Sequence, residues 1–181
     1  MPVDETAIVT WANMVTVLRV LASPFLFLMI PDERVGSWVA LAAWILLCSS
    51  DGFDGYLARR HGITRSGAFL DPLADKILVL GAMFTLVSRD VFWILPVVII
   101  AAREIAVSLY RVFAGSKGVS MPASKLAKIK TVSQQFAVGF ALTPATINNA
   151  TWTFTICMWV AVALTLVSAA QYAQRAFVAA K

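Results

Sequence analysis

Asp51 and Asp54 lie at positions i and i+3, and Asp71 and Asp75 at i and i+4, in a chain that is otherwise mostly apolar. On a helix, each of these spacings places both carboxylates on one face. A single charge at mid-membrane depth costs about 2.5–3.5 kcal/mol even on lenient insertion scales. One such residue is as readily a paired structural charge, but four at helical spacing point to function. Carboxylates brought this close without a counter-charge repel one another and partly protonate. A bound divalent cation removes that conflict, and an all-oxygen donor set favours magnesium, manganese or calcium over zinc or copper. Gly55, Ala58 and Gly67 belong to the same stretch. Small residues there permit close helix packing or clear room for a ligand beside the cations, and spacing alone weighs the two equally. Arg59 adds a planar fork suited to phosphate oxygens.

The elements that must position these residues are helices in a membrane. Of 181 residues, 60% are hydrophobic and 14% charged, against about 25% charged in soluble domains. The length suits one domain, residues 1–181. No Lys or Arg precedes Arg19, which argues against a cleaved signal peptide with a basic leader. Cys48 and Cys157 sit in apolar stretches and suggest neither a disulfide framework nor a zinc site. His61 is the only histidine and reads as a surface loop residue, so a histidine-based metal site or triad is not expected. Apolar segments cover roughly 13–30, 37–58, 68–88, 91–113, 131–147 and 152–174, each near the length of about 20 residues that spans hydrocarbon. The spacing therefore predicts an all-α, polytopic protein of six transmembrane helices. Its fifth segment is the weakest, being short and holding Gln134 and Gln135.

Charge bias orients the bundle. Arg59, Arg60, Arg65, Lys117, Lys125, Lys128 and Lys130 follow the second and fourth segments, and Arg175 and Lys181 close the chain. The opposite connections hold only Arg34 and Arg89, each beside acidic residues. Both termini and the aspartates are thus expected on the cytoplasmic side of a bacterial-type inner membrane. Net charge of +5 serves that topology and attraction to anionic lipid head groups. Nucleic-acid binding is not expected, because no extended soluble domain presents a basic surface.

The run from Asp51 to Asp75 matches D-x-x-D-G-x-x-A-R-(x)n-G-x-x-x-D-x-x-x-D, and so resembles the signature of the CDP-alcohol phosphatidyltransferases. Asn13-x-x-Thr16-x-x-Arg19 looks like that family's first-helix pattern. Phe69-Leu70-Asp71-Pro72-Leu73-Ala74-Asp75-Lys76, Arg103-Glu104-Ile105, Arg111 and Lys128-x-Lys130-Thr131 resemble the branch whose acceptor is sn-glycerol 3-phosphate. The likeness covers about residues 12–135, and Ala12 and Ala127 stand where that branch usually has proline and glycine.

The resemblance implies the family fold and transfer of a phosphatidyl group from CDP-diacylglycerol to an alcohol, with release of CMP. It implies two divalent cations, Mg2+ or Mn2+, on Asp51, Asp54, Asp71 and Asp75, with Asp75 also the catalytic general base. The CDP-diacylglycerol site would comprise Asn13, Thr16, Asp54, Gly55, Ala58, Arg59 and Gly67. Acceptor phosphate would meet Arg65, Arg103, Arg111, Lys128 and Lys130, with Glu104 a partner to these cations and no metal ligand. A homodimer within the lipid is the implied assembly. Cardiolipin synthase and inositol-phosphate enzymes share the family chemistry with other acceptors. An aspartate-rich intramembrane prenyltransferase would leave Ala58-Arg59 without a role, and an ion transporter would need polar groups across the whole membrane.

Overall fold

A computed structural model describes the backbone of residues 11–61, 65–116 and 125–179, with side chains at 14–50, 72–110, 112–113, 129–171 and 174. Within these residues every regular element is an α-helix: α1 (Trp11–Met29), α2 (Trp38–His61), α3 (Arg65–Ser88), α4 (Ile94–Ser116), α5 (Lys125–Leu142), α6 (Pro144–Asn149) and α7 (Thr151–Ala179). The expected all-α class holds. The segments expected second, third, fourth and sixth correspond to α2, α3, α4 and α7.

The fifth apolar segment, expected over 131–147, divides at Thr143. α5 begins earlier, at Lys125, and ends at Leu142, while Pro144 opens the six-residue α6. Proline lacks an N–H and clashes with the preceding turn, but it suits the first position of a new helix. Thr143 is accordingly extended (φ −77°, ψ 122°).

The end of α3 is set by a different device. Asp90 takes a left-handed conformation (φ 55°), its N–H donates to Val87 O (3.0 Å), and Val91 N–H donates to Leu86 O (2.9 Å). These are the paired bonds of a Schellman cap. Leu86 and Val91 are both buried, so the apolar contact that accompanies such caps is present.

The turns at this end gather together. Ser37 N–H donates to Leu142 O (2.9 Å), Gly36 lies against the Thr143–Pro144 backbone, and Arg89 pairs with Asp32. A Cβ on Gly36 would lie 2.4 Å from Pro144 N, so this close approach requires glycine. α1 packs against both α2 and α3, α5 against α2, α3 and α7, and α4 against α3 and α7. Leu26, Trp44, Leu78, Met83, Val97, Ile100, Val138 and Phe154 belong to one continuous apolar core.

Outside that core the helices are apolar too. Leu18, Leu21, Phe25, Leu28, Leu46, Leu109 and Trp152 are exposed, in contiguous numbers that soluble monomers rarely show. Thr151–Gln171 is long and apolar enough to cross a membrane by length and composition, the one such stretch among the described residues. Met14–Met29 and Trp38–Ser50 are shorter apolar helical stretches among the described residues.

Candidate active site

α2 brings Asp51, Asp54, Gly55, Ala58 and Arg59 to its last three turns, and α3 carries Arg65, Gly67, Asp71 and Asp75 on its first half. The two arms therefore run toward and away from one end of the bundle, and α1 is a neighbour common to both. The side chains of Asp51, Asp54, Gly55, Ala58, Arg59, Arg65, Gly67 and Asp71 lie outside the described residues, as do those of Asn13, Arg111 and Lys128. Asp75 is described and half-buried. Lys76, next to it, turns back to donate to Pro72 O (3.3 Å).

The expected cation set consists of four carboxylates, a donor set that fits hard divalent cations. Among the described residues no group of three metal-binding side chains is found, and three of the four aspartates fall outside them.

Polar residues are buried mainly from mid-bundle toward the aspartate end. Thr16 on α1 is fully buried and so is Arg19, which is 2% exposed. Arg19 Nε donates to Ser50 Oγ at 3.0 Å, while Ser50 Oγ donates to Leu47 O at 2.7 Å. Ser50 immediately precedes Asp51, so a guanidinium is fixed beside the start of the aspartate run. Sequence reasoning placed Arg19 in a motif but assigned it no site role; its isolation in the apolar run after Met14 was the available signal.

A second polar group joins α4, α5 and α7. Lys130 Nζ donates to Glu104 Oε1, and Arg103 donates to the same oxygen at 3.1 Å. The other guanidinium arm of Arg103 reaches Ser168 Oγ at 2.6 Å. Lys130 is 2% exposed and Glu104 8%, so the ion pair is withdrawn from solvent. Two of the expected acceptor cations, Arg103 and Lys130, are thus brought together, with Glu104 between them as their expected partner. Ser168 gave no sequence signal, being one hydroxyl in an apolar helix. Gln134, one turn beyond Lys130, and Thr165, one turn before Ser168, are also buried.

A groove of about 480 Å³ between α2 and α5 is lined by Leu41, Trp44, Ile45, Cys48 and Phe136 among others. It carries neither carboxylate nor cation, which separates it from the polar groups above.

Comparison with known proteins adds the chemical context. The family model for CDP-alcohol phosphatidyltransferase matches residues 9–167. The chain is 40% identical over 132 residues to the CDP-diacylglycerol–glycerol-3-phosphate 3-phosphatidyltransferase of Cereibacter sphaeroides, covering 70% of this chain and 60% of that protein. Against the like-named protein of Rickettsia bellii it is 32% identical over 177 residues, covering 95% and 96%. Against that of Escherichia coli K12 it is 38% identical over 138 residues, covering 72% and 75%.

Proposed function

Since the chain belongs to the CDP-alcohol phosphatidyltransferase family, we propose that it transfers the phosphatidyl group of CDP-diacylglycerol to sn-glycerol 3-phosphate, giving phosphatidylglycerophosphate and CMP. The observation that carries this reading is the full aspartate signature on two consecutive helices, in a chain whose similar proteins bear that enzyme name. In the reaction, a glycerol hydroxyl oxygen forms a bond to the phosphatidyl phosphorus. The bond from that phosphorus to the bridging oxygen of the diphosphate breaks, and CMP leaves with the electron pair.

Asp75 accepts the proton of the attacking hydroxyl, as a general base one turn beyond Asp71. Asp51, Asp54, Asp71 and Asp75 hold the divalent cations, Mg2+ or Mn2+, which when bound neutralise the diphosphate and the developing charge. Arg59 forks onto donor phosphate oxygens, and Gly55, Ala58 and Gly67 leave space for the CDP moiety. Asn13 and Thr16 approach it from α1. Arg65, Arg103, Arg111, Lys128 and Lys130 supply the positive field for the acceptor's own phosphate.

The setting belongs to the same proposal. Six helices, α1 to α5 and α7, span an inner membrane with both termini and the aspartates at the cytoplasmic face, and the enzyme works as a homodimer in lipid. Cation bias in the connections supports that orientation. The deciding experiment measures CMP release from CDP-diacylglycerol with glycerol 3-phosphate, phosphatidylglycerol or inositol phosphate as acceptor. Turnover with glycerol 3-phosphate is expected. Turnover with phosphatidylglycerol alone would replace this reading by cardiolipin synthesis.

A further inference from the structure

Glu104 lies between the two buried cations of the α4–α5–α7 layer, and it serves both of them. Lys130 and Arg103 donate to one and the same oxygen, Oε1. Arg103 then continues to Ser168 on α7, and the Ser108 hydroxyl donates to Glu104 O at 2.7 Å one turn along α4. The adjacent side chains of Arg103 and Glu104 thereby tie α4 to α7 and to α5. The layer lies beside the helix that carries Asp71 and Asp75, because α5 packs against α3.

Both cations meet at one carboxylate oxygen in a layer sheltered from solvent, where screening is weak. The neighbouring buried polar atoms that lack a partner among the described residues, Gln134 Nε2 and Thr165 Oγ1, can both donate hydrogen bonds. A buried layer that holds an ammonium, a guanidinium and donors of this kind is suited to a phosphate. An ammonium and a guanidinium this close would repel each other and separate without an anion between them.

We infer that Glu104 is a positioning residue for the acceptor: it holds Lys130 and Arg103 at fixed separation so that both are placed for the phosphate of glycerol 3-phosphate. This rests on the proposed acceptor. Glu104 itself touches no substrate. Its carboxylate repels the acceptor dianion, so a purely electrostatic view expects tighter acceptor binding when its charge is removed. The positioning view expects the reverse.

The test compares the full-length protein with Glu104→Gln, Glu104→Asp, Lys130→Met and the Glu104→Gln/Lys130→Met pair, all in detergent with a lipid supplement. Measurements are kcat, KM for each substrate and thermal midpoint. Glu104→Gln is expected to raise KM for glycerol 3-phosphate about tenfold while moving that for CDP-diacylglycerol less than about twofold. Glu104→Asp, which keeps the charge, recovers most of that loss. The paired variant shows a KM no worse than Lys130→Met alone, because the two residues act as one unit.

A lowered thermal midpoint with both KM values unchanged would make the strap structural and overturn the inference. A fall in KM for glycerol 3-phosphate, or multiplicative losses in the pair, would do the same. If Glu104→Gln does not fold, Glu104→Asp and the paired variant decide the matter on the same KM comparison. A wild-type enzyme that ignores glycerol 3-phosphate sinks the acceptor reading together with this one, whereas wild-type turnover with an unmoved KM in Glu104→Gln sinks this one alone.

Discussion

Asp75 lies one helical turn beyond Asp71 on α3 and is half-buried, a placement that suits proton removal better than donor docking. Asp75→Asn keeps the shape and loses the base, and such losses cost about 10²–10⁴ in rate. Turnover should fall by that factor while CDP-diacylglycerol binding stays measurable by equilibrium titration. A variant keeping more than half of wild-type turnover would remove Asp75 from the mechanism. Arg111 and Lys128 test the acceptor side. A charge-assisted hydrogen bond to phosphate contributes roughly 1.5–3 kcal/mol, so Arg111→Ala and Lys128→Ala should each raise KM for glycerol 3-phosphate about tenfold or more. KM for CDP-diacylglycerol should barely move, and Arg59→Ala should show the opposite bias. Loss of donor affinity alone in the Arg111 and Lys128 variants would reassign both residues.

Helix packing turns on small contacts whose consequences differ by position. At Gly36 an added Cβ would meet the backbone of Pro144 and Thr143 at 2.4–2.7 Å, and the Ser37 to Leu142 hydrogen bond fixes the two turns together. Backbone has no rotamer to yield, so Gly36→Ala must push the α1–α2 connection off the α5–α6 turn. Overpacking of this kind costs about 1–3 kcal/mol, or a fall of several degrees at about 2–4 °C per kcal/mol for a chain of this size. At Gly139 the nearest side-chain atom to a Cβ is Trp44 Nε1 at 3.7 Å, an ordinary contact, and alanine is the better helix former. Gly139→Ala should therefore leave the thermal midpoint unchanged or raise it slightly. Equal midpoints for the two variants would contradict the packing described around Gly36.

Across the whole molecule, polar and apolar regions divide the bundle lengthwise. Loops 30–37 and 89–93 and the short α6 with its flanking residues close one end over an apolar core, while Arg19, Lys130 and Glu104 are buried toward the end that bears the aspartates. Activity is accordingly expected to vanish in excess chelator and to return with magnesium or manganese but poorly with zinc, since hard oxygen donors select hard cations. Full turnover after exhaustive chelation would eliminate the cation site. Orientation is open to a separate measurement: cysteine labelling in intact cells should modify a cysteine introduced at Arg34, in the acidic-flanked loop, and spare one introduced at Lys117. The reverse pattern would invert the proposed topology.

Sequence alone determined the helical class, because runs of apolar residues long enough to span hydrocarbon admit little else once backbone polar groups must be satisfied internally. It also determined the family, since the residues from Asp51 to Asp75 keep their identities and spacing however the helices pack. Periodicity could not place the break at Thr143, because apolar residues recur beyond it at Ala145 and Ile147 and only Pro144 announces it. Nor could it single out Arg103 and Lys130 among Arg65, Arg103, Arg111, Lys128 and Lys130, the cations expected at the acceptor. Residues 27 positions apart come to share Glu104 Oε1, and Arg103 reaches Ser168 on a helix 65 positions away, only when α4, α5 and α7 have packed. Such contacts depend on how the helices pack, and no local pattern carries them; the cost of burying charge then forces those cations to find an anion.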